Sequence, residues 1–71
     1  MNKPKFSYSQ LEYLIDEYVG GRNCERNRKI LKMSLLQGLP YREIAERVDM
    51  SDIQISRIVH KYGDPLLLML E

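Results

Sequence analysis

Seventy-one residues with a single cysteine and a single histidine suffice for one small domain and exclude an internal disulfide or a metal-ligand cluster as its staple. A chain this short buries only about 60% of the surface its unfolded form exposes, and a lone core of this size supplies roughly 3–5 kcal/mol, so self-association is the remaining way to add stability. The net charge of +1 points to no partner class by itself, and no apolar run is long enough to span a bilayer or to act as a signal peptide, so a soluble cytoplasmic protein without cofactor or metal is expected.

In chain order, residues 1–6 read as a disordered polar lead-in. Ser7 and Ser9 are candidate N-caps, each with Gln10 or Glu12 at capping-box spacing. Leu11, Leu14, Ile15, Tyr18 and Val19 make one apolar stripe at helical spacing, and Gly20-Gly21 supplies a stop. The first helix is therefore placed at about Ser9–Val19. Asn23 is the next cap candidate, with Glu25 in the first turn where the helix dipole favours an acid. A second helix, Cys24–Gln37, takes its apolar positions from Ile30, Leu31, Met33, Leu35 and Leu36, with Asn27 and Ser34 interrupting the stripe.

Gly38 ends that helix and Leu39-Pro40 turns the chain. A short third helix, Tyr41–Val48, buries Ile44, Ala45 and Val48. Asp49-Met50 forms a turn, and Ser51 caps a fourth helix that runs to about Lys61 with Ile55, Ile58, Val59 and Tyr62 inward. Gly63-Asp64-Pro65 is expected to break it, leaving residues 64–71 as an apolar tail around Leu66–Leu70. No stretch alternates with period two as a half-buried strand would. The expected class is all-α: one four-helix compact domain over 1–71, containing a helix-turn-helix at 41–62, plus the tail.

The informative segment is Tyr41 to His60. Two short helices that cross steeply need a small residue where their backbones meet, and Ala45 stands there. The turn needs one left-handed residue, and Asp49 is among the types that tolerate it after Gly and Asn. Ile44, Val48, Met50, Ile55 and Ile58 anchor both helices to a core. What remains faces outward: Asp52, Ile53, Ser56, Arg57, His60 and Lys61, with Gln54 at the edge.

An α-helix fits the major groove of B-DNA, where each base pair shows a distinct donor and acceptor pattern. Arg57 is the candidate for a bidentate guanine contact and Gln54 for adenine. Ile53 can pack on a thymine methyl group, Asp52 can accept from cytosine, and Ser56 and His60 complete the candidate base-reading set. Tyr41, Arg42, Ser51 and Lys61 are the candidate phosphate contacts, which position a protein without reading sequence. The partner expected from these residues is double-stranded DNA.

From Glu25 to Ile58 the chain resembles the C-terminal helix-turn-helix region of bacterial sigma factors, and the same pattern is similar to Trp-repressor-like and resolvase-like domains. The residues that carry the resemblance are the Gly38-Leu39 corner, Glu43-Ile-Ala-Glu-Arg-Val48, the turn, and Ser51 to Arg57 ending in Ile55-Ser56-Arg57. The resemblance implies the fold and a reading helix at Ser51–Lys61. It departs at Asp49, where those families usually carry Gly. Nothing in the chain resembles the sigma domains that bind the polymerase core, so a stand-alone bacterial or phage regulator is expected rather than a working sigma factor.

Other features have plainer readings beside functional ones. Arg22, Arg26, Arg28, Lys29 and Lys32 stand against one acid, Glu25, and line a second phosphate contact, meet an acidic partner, or form a solvated face. Cys24 reads as an inert small residue, and the five tyrosines as packing residues at the rim of a small core. A histidine that faces phosphate can make affinity pH-sensitive, and His60 is the candidate for that role.

Leu66, Leu67, Leu68, Met69 and Leu70 either fold back over the first helix or seal a homodimer together with it. A homodimer would predict a palindromic site. Three functions stay open: a sequence-specific transcriptional regulator, a protein-interaction module for polymerase or another protein, and a DNA-packaging or recombination accessory subunit. No residue spacing suggests catalysis, so no enzyme is expected.

Overall fold

The structure, a computed structural model that describes residues 8–70, is built from helices and turns throughout that range. Four rods follow one another. The first is α1 (Tyr8–Tyr18). The second is α2 (Cys24–Leu31), continued without a break by a π-helical turn at Lys32–Leu36. The third is α3 (Tyr41–Val48). The fourth is α4 (Asp52–Ile58), continued by a second π-helical turn at Val59–Gly63 and then by α5 (Asp64–Met69). The expected all-helical, four-helix domain is what the structure has, with differences at the element ends.

The first helix starts at Tyr8, so Ser9 sits inside its first turn rather than capping it, and Ser7 lies outside the described residues, as does the lead-in. Leu11, Ile15 and Val19 are buried, but Tyr18, the last residue of the helix, is exposed. Tyr8 and Tyr13 are exposed as well, so the rim role expected of the tyrosines holds only for the half-buried Tyr41 and Tyr62. The turn into α2 uses two left-handed residues, Gly21 and Asn23. Asn23 does stand at the N-cap position, yet with φ 62 its side chain makes no capping bond.

In the second rod the Gln37 N–H donates to the Lys32 carbonyl (3.1 Å), five residues back, and the Leu39 N–H to the Met33 carbonyl (3.0 Å) across left-handed Gly38. A π turn holds one residue more than an α turn and so shifts the phase of the side chains that follow. Met33 is buried along with Ile30 and Leu31, while Leu35 and Leu36 are half-buried.

The largest correction concerns the fourth rod. Gly63-Asp64-Pro65 does not break it: Gly63 (φ −76, ψ −42) and Asp64 (φ −58, ψ −47) are both right-handed helical, and Pro65 falls in the first turn of α5. Proline is tolerated there because its φ is already helical, and the rod continues although Pro65 has no N–H to give to the preceding turn. Gly63 is buried against Leu31 and Leu35, whose methyl carbons lie 3.5–3.6 Å from where its Cβ would be. The rod therefore continues because a close contact with the second rod holds it. The segment expected as a tail is a helix packed on α1.

One core joins all rods: Leu11 and Ile15 from α1, Ile30 and Leu31 from α2, Ile44 and Ala45 from α3, Ile55 from α4, and Leu66 from α5. Each fully buried aliphatic side chain contributes about 1.5–3 kcal/mol, which in a domain this small makes every one of them costly to lose. Polar ties run between the elements. Arg28 donates Nε to the Val19 carbonyl (2.8 Å), satisfying an acceptor at the exit of α1. Lys32 pairs with Asp16 at 2.9 Å, a partly exposed bridge of small worth.

Candidate nucleic-acid interface

The turn between α3 and α4 is built from local rules. Asp49 is left-handed (φ 57, ψ 51) and its N–H donates to the Ala45 carbonyl. The Met50 N–H reaches the same carbonyl at 3.0 Å, which closes a Schellman-type cap and turns the chain sharply. Ala45 is buried where α3 meets α4, the closest-knit pair of helices in the molecule. Ser51 then opens α4 with a reciprocal capping box: Gln54 N–H donates to Ser51 Oγ (3.2 Å), and Ser51 N–H donates to Gln54 Oε1 (3.0 Å). Ile55 is wholly buried behind this start, which orients the rest of the helix.

The side of the fourth rod away from the core carries most of the residues expected to read bases. Asp52, Ile53, Gln54, Arg57, His60 and Lys61 are exposed, and Ser56 is half-buried. Ile53, at 62% exposure, is an apolar side chain standing in solvent on an otherwise polar face. Three of these groups already have partners. The Oε1 atom of Gln54 serves the capping box, which leaves its amide N–H groups outward. His60 Nδ1 lies 3.2 Å from Asp64 Oδ2, an exposed i,i+4 pair. Lys61 Nζ sits 5.4 Å from the centre of the Tyr62 ring, within cation–π range. The Ser51-x-x-Gln54 spacing announces the capping box in the sequence, so this use of Gln54 was readable there.

Of the expected phosphate contacts, Ser51 and Lys61 lie at the two ends of the reading segment Ser51–Lys61. Arg42 is exposed and Tyr41 half-buried at the start of α3, a helix whose Arg47 pairs with Glu43 at 2.9 Å. The structure also brings residues together that are far apart in sequence. Arg22 and Arg26 line a shallow concavity of about 230 Å³ with Arg57 and Lys61. In the sequence the basic run at 22–32 is one continuous stretch. The fold divides it, sending Arg28 and Lys32 to ties with α1 and setting Arg22 and Arg26 beside the reading helix.

The chain matches the family model for sigma-70 region 4 over residues 25–61. That span is more than half of the molecule and runs from the second residue of α2 through α3 to the end of the segment Ser51–Lys61. The chain belongs to the sigma-70 region 4 family. Region 4 is a helix-turn-helix DNA-binding domain, and the capped turn between α3 and α4 lies within the matched span. The curated proteins and the solved structures contain no match to it. In this region 4 domain, Leu66 to Leu70 lie beyond the matched span. Leu66 is 2% exposed and belongs to the chain's own core, which leaves it no area for a partner, and Leu67 and Leu70 are half-buried. Leu68 and Met69 are exposed, at 69% and 53%. Among the described residues no helix is long and apolar enough to cross a membrane, and no group of side chains could hold a metal ion.

Proposed function

We propose that this chain is a sequence-specific transcriptional regulator that lays Ser51–Lys61 in the major groove of duplex DNA. The observation that carries the reading is the exposed face Asp52, Ile53, Arg57, His60 and Lys61, held by a turn that left-handed Asp49 and the Ser51–Gln54 capping box close. Arg57 reads guanine, the outward amide of Gln54 donates to a base acceptor, and Ile53 packs on a thymine methyl group. Ser56 and His60 complete the base contacts at the middle and end of the segment. Arg42, Tyr41, Ser51 and Lys61 meet phosphates on either side and set the register.

In the same reading a second copy meets the exposed pair Leu68 and Met69, giving a homodimer that sets two reading helices about one DNA turn apart. Light scattering that returned the monomer mass at tens of micromolar would remove the dimer. The experiment for the main reading selects random duplex DNA with the purified protein and titrates the winner at two salt concentrations, with Arg57→Ala alongside. The expected outcome is an enriched motif, binding that weakens steeply with salt, and a variant that loses ~1–3 kcal/mol of discrimination at one base pair.

A second reading, a protein-interaction module on the same fold, draws on three observations. Asp52 stands on the reading face, Gln54 has given up its acceptor, and His60 is paired with Asp64. No enriched motif, together with binding that is weak at all salt concentrations, would favour that reading.

A further inference from the structure

The second helix carries an amide where its apolar stripe calls for a hydrocarbon. Asn27 is 4% exposed, and its Oδ1 accepts from both Nε (3.3 Å) and Nη2 (3.2 Å) of Arg26, the residue before it. A buried amide is costly unless it is hydrogen-bonded, and an exposed arginine ordinarily spreads over many rotamers. The pair answers both problems at once. It satisfies the buried oxygen, and it restrains the guanidinium of the exposed Arg26 through Nε and Nη2, leaving Nη1 outside the pair.

The concavity beside that guanidinium is lined by Arg22, Arg26, Asn27, Arg57 and Lys61, with no carboxylate among its lining residues. Among the described residues none of these four cations has an acidic partner, whereas Arg28, Lys32 and Arg47 are all tied to an acceptor or an acid. A group of cations without acidic partners, one of them a restrained guanidinium, suits an anion such as a phosphate. Arg57 belongs to the reading face as well, so an anion in this concavity would lie directly beside the groove that α4 enters.

We propose that this concavity is a cradle for a backbone phosphate of duplex DNA, with Arg22 and Arg26 as its contacts and Asn27 as the positioning residue for Arg26. The proposal rests on the DNA-binding reading above but makes a separate claim about where affinity comes from. The contact carries no sequence information, so its loss weakens all duplexes alike.

The test measures affinity for a short random-sequence duplex and for a selected duplex, each across a salt series. Arg22→Ala and Arg26→Gln are compared with Lys29→Ala, which removes an exposed cation outside the cradle. Each cradle variant is expected to flatten the slope of log affinity against log salt by about 1, equivalent to roughly a 4-fold smaller loss of binding between 50 and 200 mM salt. Base preference stays as in the wild type. Asn27→Leu keeps every charge, so a flattened slope in that variant shows that Arg26 acts only when held.

Wild-type slopes for Arg22→Ala and Arg26→Gln would overturn the cradle, and so would equal flattening by Lys29→Ala, which would mark a bulk charge effect. If Asn27→Leu does not fold, the two arginine variants decide the matter. A protein that binds random and selected duplexes equally, yet still loses slope in the cradle variants, would sink the sequence-reading function and leave the cradle standing. A protein that binds neither duplex removes both.

Discussion

The helix-turn-helix and the C-terminal segment behave in opposite ways toward the local rules of chain structure. From Tyr41 to Ile58 every short-range signal is obeyed: Asp49 takes the left-handed turn, Ser51 and Gln54 exchange capping bonds, and Ala45 fills the crossing. From Val59 to Met69 the strongest local signal, Gly63-Asp64-Pro65, is overruled. The difference lies in what each segment packs against. The turn satisfies its own backbone within a few residues, so it needs little from the rest of the molecule. The continuation through Gly63 exists because Leu31 and Leu35 lie against it and because Leu66 reaches the common core. A local break signal states only that continuing costs something, and here tertiary contact outweighs that cost.

Core truncations test that comparison with the largest effects. Ile55→Ala removes a wholly buried side chain behind the reading helix and is expected to cost ~2–5 kcal/mol, enough to unfold most of a domain this small. Leu66→Ala belongs to the same class if α5 is part of the core, and urea titration should place it above ~2 kcal/mol. A value under about 0.5 kcal/mol would mean that the segment is a loose tail after all.

Capping gives the next effect. Ser51→Ala removes one half of the box and should lower stability by about 1 kcal/mol, measured by thermal melting. Because the turn is held by other residues too, the melting transition should remain single and cooperative.

The smallest effect is also the most pointed. At Gly63 an added Cβ meets its neighbours at 3.5–3.6 Å, ordinary contact distance, and the backbone there is helical. Gly63→Ala should therefore be neutral or stabilising by up to ~1 kcal/mol, since alanine favours a helix interior by about that amount over glycine. A loss larger than ~1 kcal/mol would show that the two rods pack more tightly than these distances allow.

Much of the candidate interface was legible because it is made of neighbours in sequence. The turn residue, the cap and the outward order of Asp52, Ile53, Arg57, His60 and Lys61 follow from helical spacing and from which residue types tolerate which backbone. Gln54 was legible in a different role from the one assigned to it: the Ser51-x-x-Gln54 spacing favours the cap, which uses the acceptor that base reading would share. The division of the basic run was not legible. Arg28 finds a carbonyl nine positions earlier and Lys32 an acid on another helix, while Arg22 and Arg26 come beside Arg57 across the fold. No periodicity within one segment encodes such meetings.

By itself, then, the sequence determined an all-helical chain, its membership in a helix-turn-helix family, and the composition of the exposed face of the reading helix. These follow from side-chain periodicity and from backbone preferences that act over four or five residues. Only the tertiary structure decided that the fourth rod runs on through Gly63 and Pro65, that Leu66 is core while Leu68 and Met69 are surface, and that Arg22 of the preceding turn and Arg26 of the second helix stand beside Arg57 and Lys61. Those outcomes depend on free energies of contact between segments distant in sequence, where burial and partner choice outweigh local preference.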